Sequence, residues 1–167
     1  MSVPADTICV HLRYSDWASR RLVEAASTLT EEELTRDFKH SGKSVLGTLA
    51  HTFAADRVWL GRIQGNPPAC FLDPEKDLKL CVLQEEWPAL AGRWAEWGRG
   101  LTDDSARELL SYKDMKGNAH QTPVWQVALH VVNHGTHHRG QVSAMLRAMG
   151  YTPPPTDLIY FYREFHS

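Results

Sequence analysis

No uninterrupted apolar run in this chain approaches the ~18 residues that cross a bilayer, which excludes a membrane-spanning helix. The first residues, Met1-Ser-Val-Pro-Ala-Asp-Thr-Ile-Cys-Val, lack the basic stretch and apolar core of a secretory leader, so a soluble cytoplasmic protein is expected. An excess of positive charge is missing too, with 18 Lys and Arg against 20 Asp and Glu. Nucleic acid is bound largely through a basic surface, and none is supplied here. Cysteine is scarce, three residues at Cys9, Cys70 and Cys81. They form no Cys-x-x-Cys pair and are odd in number, which argues against a disulfide framework and a zinc ribbon; free thiols in a reducing compartment are expected.

What is present reads as helix. The 167 residues have the size of one domain, able to bury a core without staples. Leu12, Trp17, Leu22, Val23 and Ala26 keep a near-helical spacing over residues 8 to 28, and Leu-Thr-Glu-Glu-Glu-Leu then opens a short helical turn with its own cap. A second helix starts at Ser44, carries one histidine, His51, and stops before Gly65-Asn-Pro-Pro. Residues 67 to 76 read as a loop. A third amphipathic helix spans residues 80 to 100, with Trp87, Leu90, Trp94 and Trp97, Pro88 near its first turn, and Gly98 and Gly100 at its end. Short alternating segments around Lys116-Gly-Asn, within residues 107 to 122, predict a small β-hairpin. Thr122-Pro123 supplies an N-cap and a first-turn proline for a last long helix that runs to Met149. After Pro153-Pro-Pro, the aromatic stretch 157 to 165 is expected to form a short helix packed back on the body. Four long helices with longer connections after the second and before the fourth predict an all-α bundle with crossovers.

The last long helix carries the chemistry. His130, His134, His137, His138 and Gln141 fall, at about 100° per residue, on a stripe roughly 100° wide. Histidine is a mediocre helix former, and crowded neutral imidazoles must each satisfy two ring nitrogens; a divalent metal does this for a pair at i, i+4. Spacing allows three pairs, His130 with His134, His134 with His138 and His134 with His137, all sharing His134. Bundles assemble metal sites from facing helices, which makes the solitary His51 a natural third ligand. His11, His40, His120 and His166 take the ordinary reading of a hydrogen-bonded helix or surface histidine. Asp56, five residues past His51, is off its face and is expected at the surface. The six Trp and five Tyr, mostly at helical spacing, read as core.

The segment His130-Val-Val-Asn-His-Gly-Thr-His-His-Arg-Gly-Gln-Val142, followed by Leu146-Arg-Ala-Met-Gly-Tyr-Thr-Pro-Pro and Thr156-Asp157-Leu, resembles the C-terminal signature of the DinB/YfiT-like metalloenzymes. The resemblance extends to Tyr14-Ser-Asp-Trp17-Ala-Ser-Arg-Arg-Leu and to His51-Thr-Phe-Ala-Ala-Asp-Arg-Val-Trp59-Leu, leaving only residues 66 to 122 generic. It implies a single-domain four-helix bundle of up-down-down-up topology over residues 1 to 167. It also implies a metal held by His51, His134 and His138; the choice of His138 over His130 rests on the resemblance alone. His130, His137 and Gln141 become outer-shell candidates, Gln141 being placed to reach a water on the metal. Family members with assigned roles are thiol-dependent transferases or isomerases, others resemble hydrolases, and many have no assigned reaction. The family's "DNA damage-inducible" label describes regulation and carries no implication of DNA binding.

Three neutral ligands leave a coordination position open, the arrangement of a catalytic site, and leave the metal's charge free to attract a thiolate. Zinc or nickel suits imidazole donors. The expectation is therefore a metal-dependent enzyme acting on a small molecule, with a low-molecular-weight thiol as cosubstrate. Metal-dependent hydrolysis and a non-catalytic metal-binding or ligand-binding bundle are the alternatives. A metalloprotease is disfavoured because Gly135 stands where His-Glu-x-x-His needs glutamate. The aromatic tail Ile159-Tyr-Phe-Tyr162 and exposed helix ends favour a homodimer.

Overall fold

The computed structural model describes residues 2–39 and 44–165, so His40 and His166 lie outside the described residues. Four long helices, α1 (Ala5–Ala26), α3 (Val45–Ile63), α5 (Leu80–Arg99) and α7 (Val124–Ala148), make the body. Four short ones, α2 (Glu31–Thr35), α4 (Pro74–Asp77), α6 (Asp103–Arg107) and α8 (Leu158–Phe165), and one hairpin of β1 (Leu109–Lys113) and β2 (Ala119–Pro123) fill the connections. α7 packs on both α1 and α3, and α5 closes the other side against the same two helices. Ile8, Leu22, Phe53, Leu60, Leu83, Val127 and Leu146 are almost completely withdrawn from solvent along the shared axis.

Local chemistry sets the helix ends. Thr30 and Glu33 cap α2 reciprocally, and Ser44 accepts from the Gly47 amide to begin α3. The last long helix begins one residue later than Thr122-Pro123 predicts. Thr122 stays in the hairpin, Pro123 is the N-cap with extended ψ, and Val124 is the first helical residue. Residues 67–76 are not wholly loop either, because Asp73 caps α4 through the Glu75 amide. Pro88 sits well inside α5 rather than in its first turn, since that helix begins at Leu80, so one interior backbone hydrogen bond is forgone. Gly98 lies in the last turn of α5, and Gly100 is its C-cap. Gly98 lets α1 approach, and an added Cβ would come 3.2 Å from the Cys9 Sγ, which itself donates to the Gly98 carbonyl.

The hairpin turn is built by Asp114, whose Oδ1 accepts from the amides of Lys116 and Asn118, with Gly117 at positive φ. At the C-terminus, Phe161 is 2 % exposed and meets Tyr14 and Trp17 edge-on at 5.9 and 5.7 Å, a burial that stabilises by about 1.5–3 kcal/mol. Tyr14 also donates to the Thr156 carbonyl, fixing α8 on α1. Among the described residues no helix is long and apolar enough to cross a membrane.

Candidate metal centre

The packing of α3 on α7 brings His51, His134 and His138 together. The Nε2 of His134 lies 3.2 Å from that of His51 and 3.1 Å from that of His138. Three nitrogens bound tetrahedrally to zinc at about 2.0–2.1 Å would stand about 3.3 Å apart, close to both of these separations, and all three donors lie within 4.8 Å of one another. His138 is buried and the other two are half-buried.

Protonation and tautomer suit the same purpose. Burial holds the imidazoles of His51 and His134 below their ordinary pKa, His134 at about 4, and the neighbouring histidines push in the same direction. Near neutral pH they are uncharged, with lone pairs available. The Nδ1 of His138 lies 2.7 Å from the Gln141 Oε1, which can only accept, so Nδ1 carries a proton and the neutral ring presents a bare Nε2. Gln141 is held in that orientation by its amide nitrogen, which donates to the His137 Nε2 at 3.2 Å. Among the described residues the Nδ1 of His134 has no hydrogen-bond partner.

The remaining sequence candidates separate. His130 is half-buried, and its ring lies 5.7 Å from that of His134 and edge-on to Trp59 at 5.3 Å, outside the cluster. His137 is exposed and reaches the cluster through Gln141. Gln141 contacts a ring nitrogen of His138 with the oxygen that the sequence reading sends toward a water. Gly135 faces the bundle interior, where an added Cβ would come 2.7 Å from Arg139 and 3.3 Å from the Ser15 Oγ. Without a side chain there, α7 can sit close to α1, and no glutamate fits.

An aromatic border surrounds the imidazoles. Phe71 meets the His51 ring at 5.1 Å, and Trp59 links His130 to Tyr112 of the hairpin. Arg62 lies over Trp59 and Tyr112 and donates to the Lys113 carbonyl, holding hairpin and α3 together. Beside Phe71 and Tyr112 opens a cavity of about 440 Å³ whose wall includes Arg62 and Lys113. Residues 66 to 122 thus supply much of this border, although their sequence carries no recognisable signature.

Asp56 corrects the surface expectation. It is only 8 % exposed, because five residues past His51 is roughly 140° round α3, which points inward rather than to solvent. Burial raises its carboxyl pKa to about 7, against the pull of Arg139 and Trp87. Arg139, itself 3 % exposed, directs its terminal nitrogens to the hydroxyls of Ser15, Ser19 and Thr136. A lone aspartate at that spacing gives no sequence signal for burial.

The sequence profile of the DinB family matches residues 1–164. The chain is 25 % identical over 149 residues to Protein DinB of Bacillus subtilis (strain 168), covering 86 % of this chain and 87 % of that one. A crystal structure of a DinB-like protein from Bacillus cereus ATCC 10987 superposes with a TM-score of 0.60 over 87 % of this chain and 94 % of that chain, at 18 % identity, a likeness of fold. With the match running from the first helix past the histidine cluster to the last, the chain belongs to the DinB family.

Proposed function

We propose that this protein is a divalent-metal-dependent enzyme acting on a small molecule by thiol transfer, with His51, His134 and His138 as the ligands and zinc or nickel as the metal. The observation that carries this reading is the convergence of three imidazole nitrogens, with no carboxylate or thiolate in the group among the described residues. A divalent ion held there keeps its full charge and an open position, and so favours the thiolate form of a thiol at neutral pH. The chain's part is to hold the three rings. Gln141 fixes the His138 tautomer, and Phe71 and Trp59 limit water around the cluster. The 440 Å³ cavity next to Phe71 has room for a small electrophile, and its wall carries charges of both signs, Arg62 and Lys113 with Asp114.

The test is turnover by metal-loaded protein, with His134→Ala as control, against a panel of electrophiles with each common cellular thiol and against simple esters and amides. Metal-dependent turnover that requires a thiol supports the transferase. Turnover without thiol would replace it by a hydrolase. Tight small-molecule binding with neither activity would make the protein a non-catalytic binding bundle.

A further inference from the structure

Between the end of α3 at Ile63 and the start of α4 at Pro74 the chain forms no helix or strand, yet it carries Phe71, half-buried, to a ring contact of 5.1 Å with His51. Phe71 also lines the 440 Å³ cavity, so this one residue borders both the cavity and the histidine cluster. A segment without regular structure owes its position to what ties it down. One tie is at Gly61, where the Asn66 amide donates to the Gly61 carbonyl at 2.7 Å and an added Cβ would come 2.8 Å from both the Asn66 oxygen and the Pro67 Cα. The other tie is Arg57. Its guanidinium donates to the two carboxylate oxygens of Asp77 at 3.1 and 2.8 Å, and the nitrogen making the shorter bond also donates to the Phe71 carbonyl at 3.3 Å. Asp77 is only 3 % exposed, and its Oδ2 accepts from the Asp73 amide as well. A buried carboxylate held by two donors of one guanidinium is a stiff anchor, and the planar fork lets the same group reach a carbonyl that a lysine's point charge would leave behind.

We infer that Phe71 is the gate between this cavity and the histidine cluster, and that Arg57 and Asp77 are positioning residues that latch it over His51. The inference rests on the proposed metal binding. With the latch made, the phenyl ring covers one side of His51, and a molecule passing between cavity and cluster has to displace it. With the latch broken, the segment beyond Gly61 loses its hold on α3 and the ring swings away. None of the three residues belongs to the histidine cluster. Equilibrium zinc affinity therefore stays with the histidines, while the rates of entry and exit follow the gate.

Stopped-flow zinc capture, and zinc release to EDTA, test this on the parent chain, Phe71→Ala, Arg57→Met and Asp77→Asn, the last keeping the shape of the aspartate without its charge. Phe71→Ala should quicken both capture and release by at least about tenfold, with the affinity within about threefold of the parent. Arg57→Met and Asp77→Asn should do the same. Adding either to Phe71→Ala should bring no further gain, because the latch acts through the ring, whereas independent effects would multiply. In the metal-free chain the carbon-bound ring protons of His51 should carry a ring-current shift from Phe71 that all three substitutions remove. Circular dichroism reports that the bundle of each variant is intact. Unchanged rates in Phe71→Ala, or faster release matched by lost affinity, would overturn the gate. Parent-like rates and His51 resonances in Arg57→Met and Asp77→Asn, or effects that multiply in the double variants, would overturn the latch. A parent chain that takes up no stoichiometric zinc would overturn the metal reading and the gate with it, a failure that the parent shows without any variant.

Discussion

On one side of the α3–α7 pair, three imidazoles turn their Nε2 atoms toward one point; on the other, Asp56 and Arg139 are both buried without forming an ion pair among the described residues. The first group lies between α3 and α7, with His51 and His134 uncharged near neutral pH and His138 braced by Gln141. The second is a carboxyl and a guanidinium that burial drives toward their neutral forms, with the buried Asp56 Oδ1 left without a hydrogen-bond partner among the described residues. Both groups hang on the same two helices, and one residue step, from His134 to Gly135 or from His138 to Arg139, crosses from one to the other. The comparison teaches that the helical face, rather than proximity in sequence, decides which chemistry a side chain enters.

The largest effect should come from His134→Ala. Removing the nitrogen shared by both close contacts should weaken zinc binding by more than about 100-fold, beyond the usual range for outer-shell groups. His130→Ala should spare most of the affinity. Calorimetric zinc titration of the two variants separates them, and equal losses would erase the boundary drawn between His130 and the cluster. Gln141→Ala should cost about 10–100-fold, because the His138 tautomer loses its anchor; no change in zinc affinity would mean that the anchor is idle.

The two sides should also respond oppositely to acid in the metal-free protein. His134 has a folded pKa lowered from 6.5 to about 4, so its contribution to stability is present above 6.5 and is lost as pH falls toward 4. Asp56 has a folded pKa raised from 3.8 to about 7, so the folded state holds the extra proton between these values. Its contribution is fully present below 3.8 and is lost as pH rises through 7. Asp56→Asn should therefore gain on the parent chain by roughly 2–4 kcal/mol between pH 4 and 8, from about 1.36 kcal/mol per pH unit. Urea midpoints across that range check it, and a constant difference would place the Asp56 carboxyl in water. The smallest expected effect is self-association. Ile159, Tyr160 and Phe165 are exposed apolar residues on α8, and light scattering should give twice the 18.9 kDa chain mass at micromolar concentration. A monomer mass would withdraw the homodimer.

The four long helices were legible because their apolar positions repeat at 3.6 residues and their ends carry strong signals such as Ser44 and Gly150. The histidine stripe was legible because imidazoles have little reason to repeat on a helix. Its division was not, since angle alone puts His137 within the stripe while the packing leaves it exposed. Asp56 was misread because off the histidine face does not mean toward water in a helix with neighbours on several sides. Pro88 reads as lying near the first turn of α5, yet it sits deeper in the helix, where tertiary packing sustains the helix across it, whereas Gly98 and Gly100 do mark the helix end. The aromatic border comes from Phe71, Trp59 and Tyr112, residues that only the packing of loop, helix and hairpin unites.

X-ray absorption on zinc-loaded protein tests the central claim most directly, because it counts and identifies the donors. The account predicts three imidazole nitrogens at about 2.0–2.1 Å with a light solvent donor completing the shell. A sulfur at about 2.3 Å, as would arise if Cys70 next to Phe71 closed the site, or the absence of stoichiometric zinc, would contradict it.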